Sequence, residues 1–392
     1  MPPVPTRVRA ALRVVTPAGY AVALVGVGAL VGYDYLGHEE MLLLGTVCLV
    51  LLVVALPFVL LPTRVKARLA LRSTHTVAGD TGRAVLHVRN RSPLPLLHPG
   101  VRIPIGRDFT RIRLPLLRRD VEHAETFPVP TFRRGVVDVG PATAQRTDPL
   151  GLLVREARWG APVQLYVRPR MAALDAMTSG FLREMEGIPS DRVSMNDLAF
   201  HALREYVRGD DLRHVHWRSS ARAGQLLVRQ YHQTRRNHAT VIVDDARDSY
   251  RTEEDFELAV SIAASLVARC ALDDTDLTFV CGTEFLAGHA AADVLDACCR
   301  VGLGDTDLIA RAEEAAFRAP DTSLLLVTGG KVAYPRLAEM QRAFALGTQT
   351  IFFHAHSSGY SMITEAGGHP KLTVSQLHDL PRLLGGYVEA TR

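Results

Sequence analysis

The stretch that decides the fold of the carboxyl-terminal half is Ala239–Leu272, ATVIVDDARDSYRTEEDFELAVSIAASLVARCAL. It opens on an apolar run, Ala239–Val243, that reads as a buried strand ending at Asp244 and Asp245. Thr252 then precedes Glu253, Glu254 and Asp255, a hydroxyl cap followed by acids in a first turn. Phe256, Ala259, Val260, Ala263 and Val267 fall on one stripe of the helix this opens, which is expected to end near Leu272. The alternation recurs downstream, with strands at Leu277–Cys281, Ser323–Thr328 and Thr348–His354 and helices at Ala290–Val301 and Val332–Phe344. Apolar strands with intervening helices predict an α/β doubly wound domain over residues 238–392, built on a parallel sheet.

Upstream the pattern is different. Residues 64–170 hold short alternating segments broken by Pro and Gly: Arg83–Asn90, Thr110–Leu117, Glu125–Val129, Arg134–Gly140 and Pro162–Val167. Such segments predict a small all-β domain, sandwich- or barrel-like. Residues 171–237 form a connector, irregular and partly helical up to Asp197.

Two uncharged apolar runs open the chain, Ala18–Tyr33 and Met41–Pro62. A helix needs about 20 residues to cross the hydrocarbon core. The runs predict two transmembrane helices at 17–36 and 41–62, joined by an extracytoplasmic loop at 37–40. Arg7, Arg9 and Arg13 precede the first, and Arg64, Lys66, Arg68 and Arg72 follow the second. The intervening Asp34–Glu40 has neither Lys nor Arg, so the charge bias places residues 1–16 and everything past the second span in the cytoplasm. The expectation is a multi-pass protein of the cytoplasmic membrane with both termini inside. Neither uncharged run carries an Asp, Glu, His, Lys or Arg, which argues against a pore or proton path.

Composition agrees with folded domains: 47% of the 392 residues are hydrophobic and 22% charged. The net charge of +4 is too small for a whole-protein case for nucleic-acid binding, so none is expected. Cys48, Cys270, Cys281, Cys298 and Cys299 form no CxxC pair and read as apolar filler in a reducing compartment.

The densest chemistry lies in Leu203–Tyr231, LREYVRGDDLRHVHWRSSARAGQLLVRQY. It reads as strand, turn, helix and strand, with Asp210 or Asp211 able to cap the helix and Gly224 to end it in a left-handed conformation. His214, Arg218 and Arg222 recur at four-residue steps, and Arg213 shares a neighbouring face with Trp217. Two readings stay open. The arginines pair with Asp210 and Asp211 as an internal brace, or His214, Arg218 and Arg222 present a surface to an anion or an acidic protein.

This segment resembles the signature of the domain of unknown function 58 family, R-x-Y-x-x-G-D-x-x-R-x-I-x-W-x-x-x-A-R. Arg204, Tyr206, Gly209, Asp210, Arg213, Trp217, Ala221 and Arg222 match it, with Val215 where the family often has Ile. Arg134–Pro141 followed by Asp148-Pro-Leu-Gly-Leu-Leu153 is similar to the family's upstream segment, and the likeness covers roughly residues 64–355. The resemblance implies a membrane-anchored protein with a β domain and a von Willebrand factor A-like domain. It implies as partners a MoxR-type AAA+ ATPase and a transglutaminase-like membrane protein, and a role in assembly rather than a reaction.

Von Willebrand A domains often hold a divalent cation through D-x-S-x-S at a strand end. Here Asp244-Asp-Ala-Arg-Asp248 lacks both serines, which leaves Asp244 and Asp248 as the candidate ligands. Val327-Thr-Gly-Gly330 stands where an Asp-Gly pair would be usual, and His354-Ala-His356 reads as loop histidines without a third ligand. No cofactor is expected. The functional expectation is a scaffold that docks a MoxR-like ATPase or assists a client at the cytoplasmic membrane face. The alternatives are a cation-dependent adhesion domain using Asp244 and Asp248, and a hydrolase using Ser219 or Ser220 near His214 and His216.

Overall fold

A computed structural model describes residues 14–60, 64–92, 95–96, 99–174, 199–207, 215–232, 238–320, 322–345 and 347–391. The chain divides into two compact units, Met1–Arg168 and Pro169–Arg392.

The first unit opens with helices α1 (Pro17–Leu36) and α2 (Glu39–Leu60). Both are long and apolar enough to cross a membrane by length and composition, and only 11% and 17% of their apolar windows are buried, unlike the core helix of a soluble domain. Thr16 caps α1 by accepting from the Gly19 N–H, and Gly37 ends it at φ 68°. Glycines set the close approach of the pair: a Cβ on Gly26 would lie 2.9 Å from Cys48 Cβ, and one on Gly45 2.6 Å from Leu30 Cγ.

Ten strands follow: β1 (Val65–Leu71), β2 (His75–Val77), β3 (Gly82–Asn90), β4 (Gly100–Ile105), β5 (Asp108–Arg113), β6 (Glu122–Val129), β7 (Gly135–Val139), β8 (Ala142–Thr147), β9 (Val154–Trp159) and β10 (Val163–Arg168). They make a three-stranded sheet β1-β3-β6 and a larger one ordered β2-β10-β7-β4-β8-β9, with β5 paired to β4. All pairings are antiparallel except β2 with β10. Alternation explains the packing. In β3, Ala84, Leu86 and Val88 point inward while Arg83 does not, and they meet Ile103, Val139, Leu165 and Val167 of the other sheet in one core. The strand expected at Thr110–Leu117 stops at Arg113, ahead of Pro115, whose missing N–H cannot serve a ladder.

The turn Asp148–Leu153 between β8 and β9 is held by the apolar helices. Asp148 is buried and accepts from the N–H groups of Leu150 and Leu153 at 3.0 and 2.6 Å, which shapes the turn. Thr16 Oγ1 donates to the Gly151 and Leu152 carbonyls at 2.7 and 2.9 Å, and the Val154 N–H donates to the Val14 carbonyl at 2.7 Å. Leu152 and Leu153 then pack with Val22, Leu51, Leu52 and Ala55. A Cβ on Gly19 would overlap the Leu152 carbonyl, so the helix start admits the turn only because that residue is glycine.

The second unit contains the hairpin strands β11 (Ala199–Glu205) and β12 (Leu227–His232) with the short helix α3 (Trp217–Ala223) between them. A seven-stranded sheet follows, with β13 (His238–Val243), β14 (Asp276–Cys281), β15 (Glu284–Ala287), β16 (Ser323–Gly329), β17 (Thr350–Ala355), β18 (Met362–Ala366) and β19 (His369–Val374) in the order β15-β14-β13-β16-β17-β19-β18. The five inner strands are parallel and the edges β15 and β18 antiparallel, so the sheet is mixed where a parallel one was expected. Gly282 at φ 55° turns β14 back into β15.

Helices cover both faces. Val241, Val243, Phe279, Leu325 and Phe353 pack with α4 (Glu253–Leu272), α5 (Ala291–Arg300) and α8 (Leu380–Thr391). Ile242, Val280, Leu324, Leu326 and Phe352 pack with α6 (Leu308–Arg318) and α7 (Tyr334–Gln341). Thr252 caps α4 by accepting from the Asp255 N–H, as its sequence predicts. The helix expected at Val332–Phe344 is shorter because Pro335 sits in its first turn and Ala333 is extended before it. The five cysteines are buried and form no disulfide.

Candidate functional site

The segment around α3 is built from backbone bonds. β11 and β12 pair antiparallel, with Arg204 opposite Val228 and Glu205 opposite Leu227. The Tyr206 N–H donates to the Leu226 carbonyl at 2.9 Å and the His216 N–H to the Leu227 carbonyl at 2.8 Å. Ser220 Oγ locks the helix onto the hairpin, donating to the His216 carbonyl at 3.1 Å and accepting from the Leu227 N–H at 2.9 Å. Gly224 ends the helix at φ 67°, the left-handed conformation expected of it.

The helix starts later than its sequence predicted. His216 is the cap, its Nδ1 accepting from the Ser219 N–H at 3.2 Å, and of the expected set His214, Arg218 and Arg222 the two arginines lie on the described helix. Arg208, Gly209, Asp210, Asp211, Arg213 and His214 lie outside the described residues, as does the side chain of Arg204. Tyr206 is half-buried beyond the end of β11.

The outward stripe of α3 is Trp217, Arg218, Ala221 and Arg222, all exposed, with Trp217 at 63%. Val207 and Leu226 are exposed on the adjoining hairpin. No described carboxylate pairs with Arg218 or Arg222. An exposed indole on the same outward side as two guanidinium groups, on a helix pinned from beneath, is a surface suited to an acidic protein face.

Of the residues in the hydrolase alternative, Ser219, Ser220 and His216 are described and His214 lies outside the described residues. Ser220 Oγ is committed to the backbone. The Nδ1 of His216 is engaged as the acceptor of the Ser219 N–H.

The second candidate is the carboxyl edge of the sheet, where the connections leaving β13 and β16 run to opposite sides, toward β14 and β17. The chain fills that crevice itself. Asp244 is fully buried, and its carboxylate accepts from the Ala246 N–H at 3.0 Å, Ser249 Oγ at 2.5 Å and Thr328 Oγ1 at 2.8 Å. Tyr250 donates to the Asp244 carbonyl at 2.5 Å, and burial, reinforced by the Asp244 charge, holds its phenol well above the usual range. Asp245 Oδ2 accepts from Thr306 Oγ1 at 2.7 Å, where a Cβ on Gly282 would stand 3.0 Å away. A Cβ on Gly329 would overlap the Ser249 carbonyl.

This arrangement does not bring the candidate cation ligands together. Asp244 spends its lone pairs on protein donors, while Asp248 is exposed on the 3₁₀ turn Arg247–Ser249. Among the described residues, no group of three or more His, Cys, Asp or Glu side chains forms a metal site. Ser249 and Thr328 were missed because their hydroxyls act one position past the expected serine and from a strand 84 residues away.

His354 is not a loop residue. It lies in β17, 1% exposed, between Thr328 and Thr373 in register. Its Nε2 and that of His356 are buried without a hydrogen-bond partner. Burial, with Lys371 and His356 adding to it, pushes the His354 pKa down to about 3.

A family model described as "Protein of unknown function DUF58" matches residues 202–280, which supports that family and includes α3 and the Asp244–Tyr250 part of the sheet edge. The chain matches no curated protein. Among solved structures, the CARDB domain of the PF1109 protein from Pyrococcus furiosus is 12% identical, covering 25% of this chain and 88% of that one at a TM-score of 0.19. The putative ApaA protein from Bordetella pertussis is 14% identical, with 27% and 95% covered and a TM-score of 0.20. A beta-glucosidase from Listeria innocua is 12% identical, with 27% and 16% covered and a TM-score of 0.17. Likenesses at these scores carry no argument about fold or function.

Proposed function

We propose that the chain is a membrane-anchored scaffold of the DUF58 type that docks an acidic surface of a cytoplasmic AAA+ ATPase of the MoxR type, or of a client, through Trp217, Arg218 and Arg222. The observation that carries this reading is the exposed indole sharing the outward side of the helix with two guanidinium groups without described carboxylate partners, on a helix whose other side is fixed by Ser220. The two apolar helices support anchoring. The turn Asp148–Leu153 holds the β domain against them, so the body is coupled to the membrane rather than tethered by a loose linker.

Charge bias orients both helices with the body on the cytoplasmic side. The doubly wound sheet, with Asp244 held by two hydroxyls at the carboxyl end of β13, supports reading the second unit as von Willebrand factor A-like. A transglutaminase-like membrane protein fits the same reading as a further partner through the resemblance alone.

The test is capture of the AAA+ ATPase from detergent-solubilised membranes, comparing the native chain with R218E/R222E. Reversal of both charges is expected to cut recovery at least about tenfold, the scale of hot-spot loss. Equal recovery by a folded variant would rule this surface out as the docking site.

A further inference from the structure

The outer face of the larger sheet in the first unit carries arginines that its own acids do not neutralise. Register sets Arg111 on β5, Arg102 on β4, Thr143 on β8 and Arg158 on β9 side by side. The neighbouring row, Ile112, Val101, Ala144 and Ala157, belongs to the sandwich core, so the arginine row points outward, and all three arginines are exposed. Arg113 adds a fourth charge two residues along β5. The described acids on this face are Glu156 and Asp138, which already accept from Gln145 Nε2 and Gln164 Nε2, each at 3.0 Å.

Arg102 and Arg111 stand directly opposite each other, an arrangement that destabilises a sheet unless something offsets it. Phe109 offsets part of it, with the two guanidinium carbons 4.0 and 5.1 Å from its ring centroid. The ring itself remains about half exposed. An anion between the guanidinium groups would complete the compensation.

The same β8–β9 hairpin ends in the turn that grips α1 and α2, and Leu150 at its tip is exposed beside those helices. The row lies five residues from the turn along each strand, roughly 17 Å. The headgroup layer occupies about 5–8 Å of that distance. The field of an anionic leaflet reaches another ~8–10 Å.

We propose that Arg102, Arg111 and Arg158, with Arg113 and Phe109, bind the phosphate groups of anionic phospholipids in the bilayer that holds the helices. The proposal rests on the anchoring of α1 and α2 in that bilayer. The planar guanidinium fork matches phosphate, and each basic residue near an anionic leaflet is worth about a fivefold preference. The contact lays the β domain against the membrane and fixes its tilt.

The test uses the full chain with Arg107→Cys, in the turn between β4 and β5, labelled with a donor dye; the native cysteines are buried. The protein is reconstituted into vesicles of phosphatidylcholine, with or without phosphatidylglycerol, containing a headgroup-labelled acceptor lipid. Energy transfer is expected to rise about twofold with phosphatidylglycerol, to fall back in ~0.5 M NaCl, and to lose the increment in R102Q/R111Q/R158Q. Equal transfer in both lipids overturns the proposal and leaves an acidic protein as the face's occupant; an increment untouched by the triple substitution overturns it as well. The lipid comparison on the unsubstituted row stands even if the triple variant folds poorly. Flotation with neutral vesicles reports the helices alone, so its failure counts against the anchor and is read separately.

Discussion

At the carboxyl edge of the sheet the Asp244 carboxylate is taken up by Ser249, Thr328 and the Ala246 N–H. On α3, upstream in sequence, Trp217, Arg218 and Arg222 meet solvent. The sheet edge is where a doubly wound fold ordinarily binds small molecules. In this chain it has become structural, and the interaction chemistry sits on a helix too short to be stable without the hairpin beneath it. Polar residues that are buried and paired hold a fold together; polar and aromatic residues that are exposed and unpaired are the ones to test for partners.

The contrast breaks most sharply at Asp244. Asp244→Ala removes three hydrogen bonds to a carboxylate and strands two buried hydroxyls, so unfolding free energy is expected to fall by about 4 kcal/mol in urea titrations of the full chain. Gly329→Ala drives a methyl into the Ser249 carbonyl and the Tyr250 ring, and should cost about 2–3 kcal/mol by the same measurement. Neither magnesium nor manganese should raise the melting temperature of the native chain, because Asp244 is already engaged; a clear shift would restore the cation reading.

His354 supplies a pH-dependent test on the same sheet. Its folded pKa, about 3, lies below the ordinary value, so the unfolded chain takes up the proton first. Its contribution is complete above pH ~6.5 and is lost as pH falls toward 3, with a slope of about 1.4 kcal/mol per pH unit between those limits. His354→Leu should flatten that part of the stability profile. The smallest effects belong to the exposed set: Asp248→Ala, Trp217→Ala and R218E/R222E should each change stability by no more than about 0.5 kcal/mol.

Much of the fold was legible from residue pattern. Ala239–Val243, Ser323–Thr328 and the capped helix from Thr252 are apolar enough, and punctuated clearly enough, to be read directly. Helix α6 was not, because the stripe it buries is largely alanine, Ala312, Ala315 and Ala316, which contrasts weakly with its surroundings. Strands β1, β4 and β8 alternate as well, with Lys66, Arg68, Arg102 and Thr143 at outward positions, but they are short and β4 contains Pro104, which argues against a strand interior.

In the site, Gly224 as helix end could be read, whereas His216 as cap could not, since imidazole seldom takes that role. The segment Asp148–Leu153 stood out in sequence, but its grip on α1 joins residues 135 apart, a contact that no local pattern encodes.

The most direct measurement pairs stability with partner recovery in two variants. Asp244→Ala should lower the melting temperature while each folded molecule still captures the ATPase. Trp217→Ala should leave the melting temperature unchanged and lose the ATPase. If Trp217→Ala retained full capture while Asp244→Ala, corrected for folded protein, abolished it, the binding chemistry would lie at the sheet edge and α3 would be no docking surface.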